Sequence, residues 1–233
     1  MLTLDRVSKH FGGLRAVADV SATFAEGAIT GVIGPNGAGK TTLFSLIAGM
    51  IAPTRGRILY RERNIAGLQP YQVCRLGIGR TFQVVRPFWD LSVREHLRAA
   101  SLFGTDEHPA EREIDGMLRL TGLADRAARP ARSLTLAGCK RLEIARALAT
   151  GARLLLLDET MAGLTPEETR TAIELVRRVR ESGRTVILIE HVLAAVTELC
   201  DRILVLEHGQ LIADGPPRDV LASDAVRKAY LGE

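Results

Sequence analysis

The chain has 233 residues, a net charge of +4 and three cysteines. That length accommodates one large α/β domain, or two lobes sharing one ligand site, with a generous core. Apolar runs such as Leu154 to Leu157 are far too short to cross a bilayer, and Cys74, Cys139 and Cys200 stand too far apart for a zinc site or a disulfide framework. The opening Met1-Leu2-Thr3-Leu4-Asp5 has neither the basic segment nor the apolar stretch of a secretion signal, so a cytosolic chain is expected. The densest positive cluster, Arg177, Arg178 and Arg180, is interleaved with apolar residues at helical spacing. It reads as a solvated helix face rather than a nucleic-acid stripe, and no nucleic-acid partner is expected.

In chain order, Leu2, Leu4 and Val7 followed by Val17 to Phe24, separated by Phe11-Gly12-Gly13, predict a two-part antiparallel N-terminal sheet. Ala28 to Ile33 is a short apolar run ending in Gly34, and Lys40 to Ala48 has helical periodicity, giving strand, glycine loop and helix. Between Pro87 and Arg132 the character turns helical, with helices expected over Ser92 to Phe103 and Glu111 to Leu120 and a break at Gly104 to Pro109. Next come a helix over Lys140 to Thr150, a strand over Arg153 to Asp158, a helix over Pro166 to Ser182 and a strand over Thr185 to Glu190. Such alternation predicts a parallel sheet wrapped by helices. Arg202 to Glu207 and Gln210 to Ala213, joined through His208-Gly209, predict a late hairpin before short C-terminal helices. The fold class is therefore α/β, a mainly parallel core sheet (residues 1–86 and 133–233) with an antiparallel N-terminal β subdomain and an inserted helical lobe at 87–132.

Gly34-Pro35-Asn36-Gly37-Ala38-Gly39-Lys40-Thr41 fits the phosphate-loop pattern Gly-x-x-x-x-Gly-Lys-[Ser/Thr] and lies where that pattern has meaning, between a strand and a helix. Glycines let the backbone curl around a polyanion, so that successive amides and the helix start face the phosphates. The amides around Asn36, Gly37, Ala38 and Gly39 would cradle ATP, Lys40 would reach the β and γ phosphates, the Thr41 hydroxyl would bind Mg2+, and Thr42 would meet the α phosphate. Leu154 to Asp158-Glu159 is an apolar strand delivering two carboxylates at its C-terminal end, the edge at which parallel sheets bind ligands. Asp158 fits the metal sphere, and Glu159, one step on, is placed to polarise an attacking water.

With these motifs in order, the sequence resembles the ATPase subunits of ABC transporters over essentially its whole length. Phe11 matches the aromatic that stacks on adenine. Gln83, in Gly79-Arg80-Thr81-Phe82-Gln83, resembles the glutamine that contacts metal and water. Leu134-Thr135-Leu136-Ala137-Gly138 aligns with the signature Leu-Ser-Gly-Gly-Gln, keeping the hydroxyl at Thr135 and replacing the next three residues. Ala162-Gly163-Leu164-Thr165 matches the loop that crosses the dimer interface, with Thr165 for a frequent aspartate and Thr160 for a common proline after the glutamate. His191 matches the switch histidine near the γ phosphate.

The resemblance implies a nucleotide sandwiched between two subunits, the phosphate loop of one facing Thr135, Ala137 and Gly138 of the other, in a homodimer or a heterodimer. It implies transmembrane permease subunits as direct partners, a periplasmic substrate-binding protein as an indirect one, and a place on the cytoplasmic face of a bacterial inner membrane. Gly77 to Gln83, Arg141 to Leu148, Ile187 to His191 and the closing Ala229-Tyr230-Leu231-Gly232 resemble the branched-chain amino acid importers, a pattern shared with importers of urea and other amides. Three alternatives stay open: a soluble ABC ATPase acting on ribosomes or DNA, an exporter ATPase, and a phosphate-loop kinase of small molecules.

Overall fold

The computed structural model describes residues 1–105 and 109–231. Asp106, Glu107 and His108, within the expected break, and Gly232, in the closing motif, lie outside the described residues.

Alternating apolar residues bury one face of Leu2–Phe11 (β1) and Leu14–Phe24 (β2), which pair antiparallel through the Gly12-Gly13 turn. The alternation slips from Leu4 to Val7 because the pairing is irregular there, with Arg6 at a φ of 48°. Next follow Ile29–Ile33 (β3), Lys40–Ile47 (α1), Arg55–Tyr60 (β4), Arg63–Asn64 (β5), Pro70–Arg75 (α2) and Ile78–Arg80 (β6). The strands β2-β1-β4-β5 form one antiparallel sheet. Beyond β6 lie Val93–Ser101 (α3), Glu111–Leu120 (α4), Leu136–Ala149 (α5), Leu154–Asp158 (β7), Pro166–Glu181 (α6) and Thr185–Ile189 (β8). The chain closes with Leu193–Leu199 (α7), Arg202–Glu207 (β9), Gln210–Gly215 (β10), Pro217–Ala222 (α8) and Asp224–Leu231 (α9). The second sheet runs β10-β9-β3-β8-β7-β6, parallel except for the β9/β10 hairpin.

Strand β7 shows why its sequence is apolar throughout. Leu154 and Leu156 join Phe44 and Ile47 in the core beneath the antiparallel sheet, while Leu155 and Leu157 join Leu175, Val176 and Val179 of α6 on the other face. With both faces covered there is no polar side to alternate with. A third core, built from Val93, Leu97, Ile114, Leu118, Leu142 and Ala145, ties α3 and α4 to one side of α5, whose other side, with Ile144 and Leu148, faces the sheet. Buried on two sides, α5 has little amphipathic pattern.

That explains one difference from expectation: α5 begins at Leu136, not Lys140. The Thr135 hydroxyl accepts the Gly138 amide at 3.2 Å, capping a helix whose glycine-bearing first turn reads as loop in the sequence. Strands β4, β5 and β6 and helices α2 and α7 have no counterpart in the sequence expectations. Strand β4, Arg-Gly-Arg-Ile-Leu-Tyr, buries only Ile58 and Tyr60, and β6 is three residues long, so neither carries enough periodicity to register.

Candidate nucleotide site

The phosphate loop leaves β3 and enters α1 through two positions that admit only glycine. At Gly34 (φ 147°) a Cβ would stand 2.0 Å from the Leu206 carbonyl oxygen, and at Gly39 (φ 100°) one would stand 2.3 Å from that of Ala16. The loop thus rests on β9 and β2. No side chain caps the first amides of α1, which leaves them free for an anion. The buried Lys40 ammonium donates to the carbonyls of Gly34 at 2.8 Å and Pro35 at 2.9 Å. Burial pushes the Lys40 amine below its ordinary value, and the carboxylates of Glu159 and Asp158 oppose that shift.

A cleft of about 510 Å3 runs along the loop. Asn36, Gly37, Ala38, Gly39, Lys40, Thr41 and Thr42 line it together with Gln83, Glu159, His191 and Phe11. The Phe11 ring is half exposed, with the Lys9 ammonium 5.1 Å from its centre.

Glu159 is the hub of the site. Its φ of 49° is left-handed, a conformation L-residues seldom adopt, and several bonds hold it there. Its amide donates to the Ile189 carbonyl at 3.0 Å, and its own carbonyl accepts the Lys140 ammonium at 2.7 Å. The two carboxylate oxygens are claimed separately, by Gln83 Nε2 at 2.7 Å and His191 Nε2 at 2.8 Å. The structure therefore brings Gln83, Glu159 and His191 together at the phosphate-loop cleft.

Asp158 ends β7, almost wholly buried, its amide donating to the Thr81 hydroxyl at 3.0 Å. One carboxylate oxygen accepts Arg80 Nη2 at 2.9 Å, and the other, Oδ1, is buried without a hydrogen-bond partner. Burial pushes the Asp158 carboxyl up, with Arg80 opposing. Asp158 lines one cleft with Thr41, and its orphaned carboxylate oxygen fits a divalent cation, a demand no neighbouring donor satisfies. Among the described residues no cluster of three or more His, Cys, Asp or Glu forms a cage of its own.

Thr135, Ala137 and Gly138 do not join this cleft. Thr135 and Ala137 open instead onto a separate cavity of about 240 Å3 with Lys140, Thr160 and Leu164, and the Leu136 side chain is half exposed. Sequence reasoning missed Arg80 and Lys140. Both lie in segments read as motifs, but their partners, Asp158 and the Glu159 carbonyl, are set by the packing of β6 and α5 against β7.

A strand-loop-helix cradle with a metal-fitting aspartate at the end of β7, a parallel strand of the same sheet, defines a phosphate-loop nucleotide-hydrolysing protein. A family model for ABC transporters matches residues 17–162, and one for branched-chain amino acid ATP-binding cassette transporters matches residues 210–233. The high-affinity branched-chain amino acid transport ATP-binding protein LivG of Salmonella typhimurium is 40% identical, with 100% of this chain and 98% of that protein covered. The lipopolysaccharide export system ATP-binding protein LptB of Escherichia coli is 34% identical over 100% of this chain and 97% of its own. A nucleotide-free ATP-binding cassette from an ABC transporter superposes with a TM-score of 0.91 at 29% identity, covering 100% of this chain and 99% of that one. The ADP conformation of an ATP-binding cassette of an ABC transporter superposes with a TM-score of 0.89 at 31% identity, covering 100% of this chain and 99% of that one. The chain belongs to the ABC transporter family. It is a nucleotide-binding ATPase subunit, and no helix among its described residues is long and apolar enough to cross a membrane.

Proposed function

We propose that this chain is the ATPase motor of an importer for branched-chain or related hydrophobic amino acids, or for amides such as urea, working on the cytoplasmic face of a bacterial membrane. The observation that carries the hydrolytic part is the clamp of Gln83 and His191 on the two oxygens of Glu159 at the mouth of the phosphate-loop cleft. Glu159, so oriented, polarises a water toward the γ phosphate, and His191 and Gln83 fix its carboxylate direction. Lys40 and the loop amides bind the phosphates, Phe11 stacks on the base, and Thr41, Asp158 and Gln83 hold Mg2+. The metal supplies neutralisation of phosphate charge.

A pair of chains is called for because Thr135, Ala137 and Gly138 do not line the phosphate-loop cleft of their own chain. Two chains, or this one and a related subunit, close head to tail so that each cap at Thr135 completes the other's site. The permease would seat on an apolar groove of about 300 Å3 between the sheet and residues 87–132, the helical lobe, where Met50, Phe82 and Phe103 are exposed. A periplasmic substrate-binding protein would act through that permease. The substrate class rests on LivG and on the carboxyl-terminal match. Export is the second reading, favoured by the likeness to LptB.

The test is ATPase activity of the chain reconstituted with its permease in proteoliposomes. Stimulation by leucine, isoleucine or valine with their binding protein supports the importer, and stimulation only by urea or another amide narrows the substrate to that class. Activity indifferent to both contradicts import.

A further inference from the structure

Arg80 ends β6 beside β7, and its guanidinium reaches α1, β7 and the loop that follows β6. Nη2 donates to Asp158 Oδ2 at 2.9 Å, with the two side chains 9% and 2% exposed. Nη1 donates to Ser45 Oγ at 3.0 Å, and Ser45 Oγ donates in turn to the Thr41 carbonyl at 2.7 Å. The guanidinium carbon lies 6.0 Å from the centre of the Phe44 ring and 5.4 Å from that of Phe82. Thr41, Gln83 and Asp158, the three residues proposed to hold Mg2+, line with Arg80 one cleft of about 480 Å3.

A guanidinium keeps its charge at any working pH; here its two terminal nitrogens go to separate partners, Asp158 and Ser45, while Nε is buried without one. The buried Asp158 carboxylate needs a counter-cation; among the described residues Arg80 forms the ion pair with it, and Lys40 acts on it only through its charge. A divalent ion approaching Oδ1 of the same carboxylate meets that fixed positive charge at short range, where repulsion is weakly screened.

We propose that Arg80 is the resident counter-cation of Asp158, a positioning residue that Mg2+ must push aside, so that the metal is held firmly only when it arrives with nucleotide phosphates. Because the guanidinium rests on Phe82, next to Gln83, its displacement also moves the segment that reaches Glu159. This proposal rests on the reading of Thr41 and Asp158 as metal residues.

The experiment titrates Mg2+ against the full chain at fixed fluorescent ATP analogue, with EDTA as the metal-free arm. In Arg80→Gln the half-saturating Mg2+ falls roughly tenfold, as loss of one short-range charge repulsion requires, while affinity in EDTA is unchanged. Arg80→Lys, which keeps the charge, stays near the parent. A parent-like Mg2+ requirement in Arg80→Gln overturns the proposal. No Mg2+ dependence in the parent chain removes the metal reading, and the proposal with it. The unmodified protein gives a check independent of variant folding: the Arg80 side-chain nitrogen resonance shifts when Mg2+ joins bound nucleotide. A resonance that moves with nucleotide alone, or not at all, also overturns it.

Discussion

At the scale of single residues, the site trades backbone comfort for aim. A left-handed glutamate costs on the order of 1 to 3 kcal/mol, and the Ile189 and Lys140 contacts at its backbone offset that strain. The gain is a carboxylate whose two oxygens face Gln83 and His191 at 2.7 and 2.8 Å. Glu159→Gln keeps the shape and loses the base. Turnover of ATP should fall about a hundredfold or more while nucleotide affinity holds, and retained turnover in a phosphate-release assay would remove Glu159 from its role. Cys200 offers a contrasting case. Burial first, then Asp201 and Glu190, push its thiol up to about 12, so it carries almost no thiolate at pH 8. Mass spectrometry after iodoacetamide treatment should find Cys200 unmodified in the native chain and labelled after unfolding. Part of the site was legible at this scale, because Lys40, Thr41, Asp158 and Glu159 sit in local motifs whose spacing carries meaning, whereas His191 stands out only through the family resemblance. Arg80 and Lys140 were not, since their partners are fixed only by the stacking of strands and helices far apart in the chain.

At the scale of elements, the sequence was most readable where periodicity and caps agree. Helix α6 begins with a reciprocal cap: the Thr165 hydroxyl accepts the Glu168 amide at 3.3 Å, and the Glu168 carboxylate accepts the Thr165 amide at 2.9 Å. Pro166 follows at the first helical position, so both the boundary and the direction were evident. Thr165→Ala should cost about 1 kcal/mol, lowering the midpoint of thermal unfolding by about 2 to 4 °C, as calorimetry would show. An unchanged midpoint would mean that tertiary packing, not the cap, fixes this end. Helix α5 was harder because it serves two cores, with Leu142 and Ala145 turned to α3 and α4 and Ile144 and Leu148 turned to the sheet. Two-sided burial erases the amphipathic stripe, and Gly138 in the first turn hides the helix start. Short β6 gave no pattern, although it carries Arg80 into contact with Asp158.

At the scale of the whole molecule, the fold builds two incomplete surfaces that share no lining residue but Lys40's cleft and Lys140's cavity stay separate. One bears the phosphate loop and the Gln83, Glu159 and His191 cluster; the other bears Thr135 and Ala137 beside Thr160 and Leu164. The topology explains this division, because the phosphate loop and Glu159 follow the parallel strands β3 and β7, while the start of α5 lines a separate cavity. Closure of two chains on ATP, driven by tighter binding of nucleotide to the closed pair, would join each surface to its complement and supply the stroke felt by the permease.

That closure is the central claim, and light scattering on purified Glu159→Gln with MgATP tests it most directly, with Lys40→Ala and the parent chain as controls. A dimer that forms only when Glu159→Gln meets MgATP, and never in Lys40→Ala, is the predicted result. A Glu159→Gln monomer that holds ATP and stays monomeric at high protein concentration would contradict closure of this chain on itself.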